Sequence, residues 1–303
     1  MKIAVLGTGA IGGYYGGLLA YGGQEVTFIA RGAQLAALQE RGLSVESVHG
    51  DFQVVPVRAT DDMEQAGAVD LVIVSVKSYD LDAAARAGRP LVGPSTVALP
   101  LLNGLDAADR LAAAWGAEHV LAGLTHISAS VPAPGVVRQV SAVRRITFGE
   151  RDGRITPRAE HIRDVLAASG AEAVLTPAID VALWEKFVFI ASISAVCCLA
   201  RQPMGPVLAT PETRDLYADA LREVEAVARA RGVALAAGVV ERTLRLTEGF
   251  APQTKPSLLA ALEGGQRLEL EAMSGTVVRY GREVGVPTPI HAVAYAALKP
   301  SAE

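Results

Sequence analysis

Residues 1–13, MKIAVLGTGAIGG, contain the pattern that decides the fold. Residues 2–7 form a short, continuous apolar run, as expected for a parallel strand that is covered on both faces. Glycines follow at G-x-G-x-x-G spacing, and residues 11–21 then have helical character. In such a unit the first glycine permits a tight turn, the second lets the backbone approach a pyrophosphate, and the third lets the helix pack on the strand. The sequence therefore predicts a dinucleotide-binding loop made of Gly7, Thr8, Gly9, Ala10, Ile11 and Gly12.

Strand and helix signals continue to alternate through the first half of the chain. Further strands are predicted at residues 25–30, 54–58, 71–76, 96–100 and 120–126. This alternation predicts an α/β fold with an N-terminal Rossmann-type, doubly wound parallel sheet over residues 1–176. Strand signals then stop, and helices are predicted at residues 179–200, 212–231, 239–247 and 268–283. Residues 177–303 are thus expected to form an all-helical C-terminal domain that carries the substrate and catalytic residues.

The end of the second predicted strand distinguishes between two cofactors. An NAD-binding protein usually places Asp or Glu there to hold the ribose 2′-hydroxyl. This chain has Ala30-Arg31-Gly32 instead. A guanidinium pairs with a 2′-phosphate, whereas a carboxylate repels it. Arg31 therefore favours NADP(H), the alternative being a surface arginine that happens to follow a strand.

Composition and charge exclude several classes of protein. The net charge of −4 is mild and forms no basic stripe, so we expect no nucleic-acid partner. The two cysteines, Cys197 and Cys198, are adjacent and suggest a reducing compartment. The apolar run at residues 187–200 is shorter than a membrane span, and no signal peptide is recognised, so we expect a cytoplasmic protein without a membrane partner. The five histidines show no metal-ligand spacing, so no metal is predicted.

Lys186 is the candidate proton donor. It lies in DVALWEKFVFIAS, residues 180–192, among Trp184, Phe187 and other apolar side chains. Burial disfavours the charged ammonium and lowers a lysine pKa towards a range useful for acid catalysis. The alternative is a lysine at a domain edge whose ammonium reaches solvent.

These motifs together resemble those of the ketopantoate reductase (2-dehydropantoate 2-reductase) family, and the resemblance covers nearly the whole chain. The residues that carry it are the GTGAIGG loop, Arg31, Lys77 in VSVKSYD, Asn103 in LLNG, Lys186 in the W-x-K motif, Pro203 with Gly205, Ser257 and Glu269. The family implies NADPH-dependent reduction of a 2-oxo acid, ketopantoate, to a 2-hydroxy acid, pantoate, in pantothenate biosynthesis.

The resemblance also implies a role for each matching residue. Lys186 would be the general acid, and Glu269 would set its protonation and orientation. Asn103 would contact both cofactor and substrate, while Lys77 would lie beside the cofactor. Ser257 would bind the substrate carboxylate. A homodimer is a further expectation.

The chain departs from the family at the substrate site. Where the family presents asparagines, this chain has Ile190, Ser194 and Met204. Ile190 and Ser194 share the helix face of Lys186, so these two are expected to line the same pocket. The resemblance implies that Met204 belongs to the substrate site as well. A less polar keto acid, a keto-lactone or an imine is therefore an alternative substrate. A non-catalytic NADP sensor is the alternative of another class, which the retention of Lys186, Asn103 and Glu269 disfavours.

Overall fold

A computed structural model describes residues 1–302 and divides them into two compact units. The first unit comprises Met1–Leu102 and Asp106–Ile179. The second comprises Asn103–Leu105 and the chain from Asp180 onward. The boundary predicted at residue 176 lies just before Ile179. The assignment of Asn103–Leu105 to the second unit has no signal in the sequence, because it depends on packing partners far away along the chain.

The first unit is built on a five-stranded parallel sheet, which confirms the predicted α/β class. Within residues 1–302 the strands are β1 (Lys2–Leu6), β2 (Glu25–Ile29), β3 (Leu43–Ser47), β4 (Phe52–Val54), β5 (Arg58–Thr60), β6 (Val69–Val74), β7 (Val92–Pro100), β8 (Ala122–His126), β9 (Ala129–Ala133), β10 (Val136–Gln139), β11 (Arg145–Gly149) and β12 (Glu172–Leu175). The order in the main sheet is β5-β2-β1-β6-β7. The winding direction reverses between β1 and β6, and ligands bind at the carboxyl ends of strands beside such a reversal.

The central strands are apolar throughout because both faces of the sheet are covered. Ile3, Ala4 and Val5 of β1 are fully buried, as are residues 71–74 of β6. The helices of this unit are α1 (Ala10–Tyr21), α2 (Gly32–Arg41), α3 (Met63–Ala66), α4 (Leu81–Ala87), α5 (Ala107–Trp115) and α6 (Pro157–Ala168), with single 3-10 turns at Ser78–Asp80, Arg89–Leu91 and Ala117–His119. The apolar core of this unit therefore lies between the sheet and its helices.

Two small mixed sheets complete the first unit, in the orders β4-β3-β10-β9 and β12-β11-β8. The strand predicted at residues 54–58 is wrong, because the structure has β4 end at Val54 and β5 begin at Arg58. Pro56 lies between them, and proline lacks the N–H that a continuous ladder needs. Strands β9 and β10 carried no sequence signal, since β9 is largely exposed and shows no apolar alternation.

The second unit is helical, as predicted. Its helices are α7 (Ile179–Ala200), α8 (Met204–Ala209), α9 (Pro211–Ala230), α10 (Val239–Glu248), α11 (Ser257–Glu263), α12 (Thr276–Val284) and α13 (Pro289–Leu298), followed by a 3-10 turn at Lys299–Ser301. The helix predicted over residues 268–283 is only partly right. A π-helical turn, Glu271–Gly275, precedes α12, and Met273 has non-helical backbone angles.

Helix α7 forms the centre of the apolar core of the second unit. By length and composition it resembles a membrane span, but 61% of its most apolar stretch is buried inside the protein. A buried helix of a globular core satisfies the same criteria, so the helix by itself is weak evidence for a membrane. Among residues 1–302, it is the one helix that meets them.

Candidate active site

The glycine loop between β1 and α1 contains two kinds of glycine. Gly7 has φ +101°, and a Cβ there would lie 2.7 Å from the backbone nitrogen of Val76. A Cβ on Gly12 would lie 2.2 Å from the carbonyl oxygen of Gly7. The surrounding protein atoms therefore leave no room for a side chain at Gly7 or Gly12. Gly9 differs, because a Cβ there would meet nothing within 4 Å.

The open space at Gly9 is the observation that fits a dinucleotide. Gly9 is the exposed N-cap residue of α1, and the first turn of α1 has neither a side-chain cap nor an acidic residue. Its backbone N–H groups and the helix dipole therefore favour an anion. A pyrophosphate would occupy the volume that a side chain at position 9 would fill.

Neighbouring strands hold this loop in place. The Ser75 hydroxyl donates to the Gly7 carbonyl oxygen at 2.7 Å, and the Thr8 hydroxyl donates to the Ile29 carbonyl oxygen at 3.1 Å. Thr8 is buried, so its side chain fixes the loop to the end of β2. No local sequence pattern identifies Ser75, because its partner is 68 positions away along the chain. Ala10 and Ile11 open α1 and are half-buried.

Arg31 and Lys77 are exposed at the same edge of the sheet as the glycine loop. Arg31 follows β2 and occupies the N-cap position of α2 in an extended conformation. Lys77 follows β6. Since β2, β1 and β6 are adjacent and parallel, the residues after them lie at one edge. This edge thus offers two cations beside a helix N-terminus, which suits the phosphates of a dinucleotide.

In the second unit, Lys186 and Asn103 are brought together. Lys186 lies on α7, and its Nζ donates to the Oδ1 atom of Asn103 at 2.9 Å. The residue is half-buried, but its ammonium group is removed from water, and this desolvation lowers the pKa of Lys186 to about 8. The carboxylate of Glu269, 9% exposed, opposes that shift because its negative charge favours the ammonium. The structure thus holds a lysine that can give up a proton near neutral pH.

Gly104 explains why Asn103 can reach this lysine. It has φ +101°, and a Cβ there would lie 3.3 Å from both the Cβ and the carbonyl oxygen of Ala272. Ala272 belongs to the π-helical turn that begins shortly after Glu269. The Asn-Gly pair therefore packs against the segment that carries the carboxylate. The LLNG motif is visible in the sequence, but this contact is not, because it joins residues that are distant along the chain.

The residues that replace the family's asparagines differ in their exposure. Ile190 is half-buried on α7, close to Lys186 along the helix. Ser194 is fully buried, and its hydroxyl has no hydrogen-bond partner. Met204 is 3% exposed and lies in the apolar core. Ser257 is exposed at the first residue of α11. A direct substrate contact by Ser194, Met204 or Ser257 stays a prediction.

The chemistry available at Lys186 is proton transfer. An ammonium whose pKa is near 8 can donate to an oxygen that gains charge during reaction, and it can also stabilise that charge. Within residues 1–302, no group of three or more His, Cys, Asp or Glu side chains is arranged to hold a metal ion. The observed groups therefore suit acid catalysis at a carbonyl.

Comparisons with known proteins agree with these features. The family model described as ketopantoate reductase PanE/ApbA matches residues 3–153, and the model of its C-terminal part matches residues 178–302. The chain is 30% identical over 299 residues to an uncharacterized oxidoreductase, YkpB, of Bacillus subtilis, and the match covers 99% of this chain and 98% of that protein. It is 34% identical over 293 residues to 2-dehydropantoate 2-reductase of Halobacterium salinarum, with 96% and 95% covered.

Solved structures show the same architecture. The crystal structure of 2-dehydropantoate 2-reductase from Geobacter metallireducens superposes with a TM-score of 0.94 at 33% identity, covering 99% of this chain and 100% of that one. A D-mandelate dehydrogenase in complex with NADH has the same fold, with a TM-score of 0.88, 23% identity and full coverage of both chains. The matching family models and the relatives together span both units, and the chain belongs to the ketopantoate reductase family of oxidoreductases, which act on CH–OH and C=O groups.

Proposed function

We propose that this protein reduces a 2-oxo acid to a 2-hydroxy acid with NADPH, and that Lys186 donates the proton to the carbonyl oxygen. The observation that carries the proposal is the hydrogen bond from the desolvated Lys186 ammonium to Asn103. A bound dihydronicotinamide would supply the hydride. The ammonium would neutralise the charge that develops on the carbonyl oxygen and would end the reaction as a neutral amine.

The other residues of the site support this step. The Oδ1 atom of Asn103 accepts a hydrogen bond from one N–H of the Lys186 ammonium and so orients the remaining two. Glu269 stabilises the protonated lysine through its charge. Ser257 is proposed to bind the substrate carboxylate, as the family resemblance implies. Gly7 to Gly12, Arg31 and Lys77 are proposed to hold the cofactor, and the reaction is proposed to take place in the cytoplasm.

The pH dependence of the reaction tests the role of Lys186. The proton donor must be charged, so kcat/KM for reduction should be constant below the pKa and fall about tenfold per pH unit above about pH 8. Oxidation of the 2-hydroxy acid by NADP⁺ requires the neutral amine and should rise through the same pH. A fall in reduction only near pH 10.5, the ordinary value for lysine, would contradict the assignment.

The variant Glu269→Gln gives this test its internal control. The carboxylate raises the pKa of Lys186, and its removal should therefore move the break in the pH profile below that of the native protein. A merely structural role for Glu269 would lower activity at every pH without moving the break. Both profiles are measured as NADPH absorbance at saturating cofactor.

Arg31 should determine the preference for NADPH over NADH. Charge-assisted hydrogen bonds to a 2′-phosphate contribute about 1.5–3 kcal/mol, so Arg31→Ala should raise the Kd of NADPH about 10- to 100-fold. The Kd of NADH should change less than about threefold, as measured by fluorescence titration. Arg41→Ala is the matched control, since Arg41 is exposed in the last turn of α2 and pairs with Glu40. An equal rise in the Kd of NADPH and of NADH in Arg31→Ala would contradict recognition of the 2′-phosphate by Arg31.

A less polar substrate than ketopantoate is the second candidate. Ile190 presents a half-buried apolar side chain one turn beyond Lys186, where the family has an asparagine. An isoleucine offers no hydrogen bond to the terminal hydroxyl of ketopantoate, and a lost polar contact of this kind costs about 1–3 kcal/mol. Within the same fold, a D-mandelate dehydrogenase binds NADH together with anilino(oxo)acetate.

A further inference from the structure

The surface of α7 around Lys186 is apolar. Phe189 and Ile190 lie three and four positions after the lysine, which places both beside it on the helix. Both are half-buried, whereas residues 191–198 of the same helix are fully buried in the core. Lys186 is thus flanked by two large apolar side chains that the core of the second unit does not cover completely.

The side chain of Phe250, from another segment of the chain, packs on Phe189. The ring of Phe250, which follows α10, stacks on the ring of Phe189 with centroids 5.6 Å apart and planes 5° apart. Phe250 remains 39% exposed despite this stacking. The two rings therefore form an aromatic pair that is partly open to solvent one helical turn from Lys186.

The segment that carries Phe250 is fixed to the start of α8. The Gly205 N–H donates to the Pro252 carbonyl oxygen at 2.9 Å, and the Met204 N–H donates to the Thr254 carbonyl oxygen at 3.0 Å. A Cβ on Gly205 would lie 2.5 Å from Pro252, so glycine is required for this approach. These bonds hold Pro252 and Thr254, and the Phe250 N–H donates to the Thr247 carbonyl oxygen at 3.1 Å. A pre-organised aromatic wall loses little entropy when a ligand binds to it.

We propose that the Phe189–Phe250 pair forms one wall of the substrate site and selects 2-oxo acids with an aromatic or bulky apolar substituent. The inference rests on the proposed function, because it places the reacting carbonyl at Lys186. An apolar substituent would cover the exposed parts of Phe189, Phe250 and Ile190, which otherwise remain in contact with water. A small 2-oxo acid would leave these three side chains exposed to water, so the aromatic pair would not contribute to its binding.

The test compares two substrates that differ only by a phenyl group, 2-oxobutanoate and 2-oxo-4-phenylbutanoate. The native protein should show at least a tenfold higher kcat/KM for the phenyl-substituted acid, a ratio of the size that apolar pockets achieve. Phe250→Ala should lower kcat/KM for that acid about 10- to 50-fold and for 2-oxobutanoate less than about threefold. Phe250→Leu should give an intermediate loss.

Leu246→Ala is the matched control. Leu246 is 59% exposed on α10, one turn before Phe250, and it should leave both values of kcat/KM unchanged. Thermal unfolding of each variant establishes that the fold is retained. Equal kcat/KM for the two acids in the native protein, or an equal loss on both in Phe250→Ala, would overturn this inference while leaving the proposed reaction intact. No NADPH oxidation with any 2-oxo acid would overturn both.

Discussion

Replacement of Lys186 by methionine is expected to lower kcat for 2-oxo acid reduction by about 10²- to 10⁴-fold, the usual contribution of a positioned general acid. Methionine retains the length and the apolar part of the side chain but has no proton to donate. It also removes a charge from a desolvated position, so the fold should not be destabilised by an uncompensated cation. The Kd of NADPH should stay within about threefold of the native value.

The neighbouring position supplies the control for this variant. Glu185 is exposed on the same helix and pairs with Arg242 at 3.6 Å. Glu185→Gln removes a charge from α7 without touching the proposed proton donor, and kcat should change less than about twofold. Rates come from NADPH oxidation and Kd values from fluorescence titration. If Lys186→Met retained more than a tenth of native kcat at pH 7, a different proton donor would have to be sought.

Two glycine variants of the loop between β1 and α1 are expected to lose cofactor affinity for different reasons. In Gly12→Ala the new Cβ would lie 2.2 Å from the Gly7 carbonyl oxygen and 2.3 Å from the Ser75 hydroxyl. The loop must therefore shift, and we expect a loss of about 1–3 kcal/mol in the free energy of unfolding. Cofactor affinity should fall more than about 100-fold, because the loop no longer has the required shape.

Gly9→Ala should leave the fold unchanged and damage binding alone. Gly9 has an extended backbone with a negative φ of −87°, so the position does not require the left-handed conformation that favours glycine, and a Cβ there would meet no protein atom within 4 Å. The free energy of unfolding should stay within about 0.5 kcal/mol of the native value. The methyl group would occupy the space proposed for the pyrophosphate, so the Kd of NADPH should rise about 10- to 100-fold.

The pair of variants separates a structural glycine from a ligand-binding one. Urea unfolding gives the free energies, and fluorescence titration gives the cofactor affinities. Native affinity in Gly9→Ala would mean that the pyrophosphate does not approach this residue, and the proposed cofactor position would be wrong.

The sheet and the long helices were predictable from sequence because their signals are local. The apolar run at residues 2–6 and the periodicity of residues 179–200 each identify an element without reference to the rest of the chain. Strand β9 was missed because its residues are mainly exposed and show no apolar alternation. Strand β10 was missed because it is only four residues long, although its Val137 is fully buried in the core. The helix expected over residues 268–283 is interrupted at Met273. Gly275 lies two positions further on, but a single glycine is tolerated within a helical pattern and does not by itself indicate a break.

The sequence predicted which residues belong to the candidate site, but not which of them contact one another. A lysine among aromatic residues indicated Lys186, and the structure shows the desolvation that this pattern suggested. The hydrogen bond to Asn103 required tertiary structure, because it spans 83 positions. Helical spacing places both Ile190 and Ser194 on the face of Lys186, but it does not reveal that Ser194 is fully buried whereas Ile190 is not. The stacking of Phe250 on Phe189 had no signal at all in the sequence.

Product analysis of a single reaction tests the central claim most directly. The purified protein is incubated with NADPH and a set of 2-oxo acids that includes ketopantoate, and both NADPH consumption and the 2-hydroxy acid are quantified. The proposed reaction predicts one 2-hydroxy acid formed per NADPH oxidised, with the rate of formation about 10²- to 10⁴-fold lower in Lys186→Met. Tight NADPH binding without any 2-hydroxy acid from any member of the set would contradict it and would favour a non-catalytic NADP-binding role.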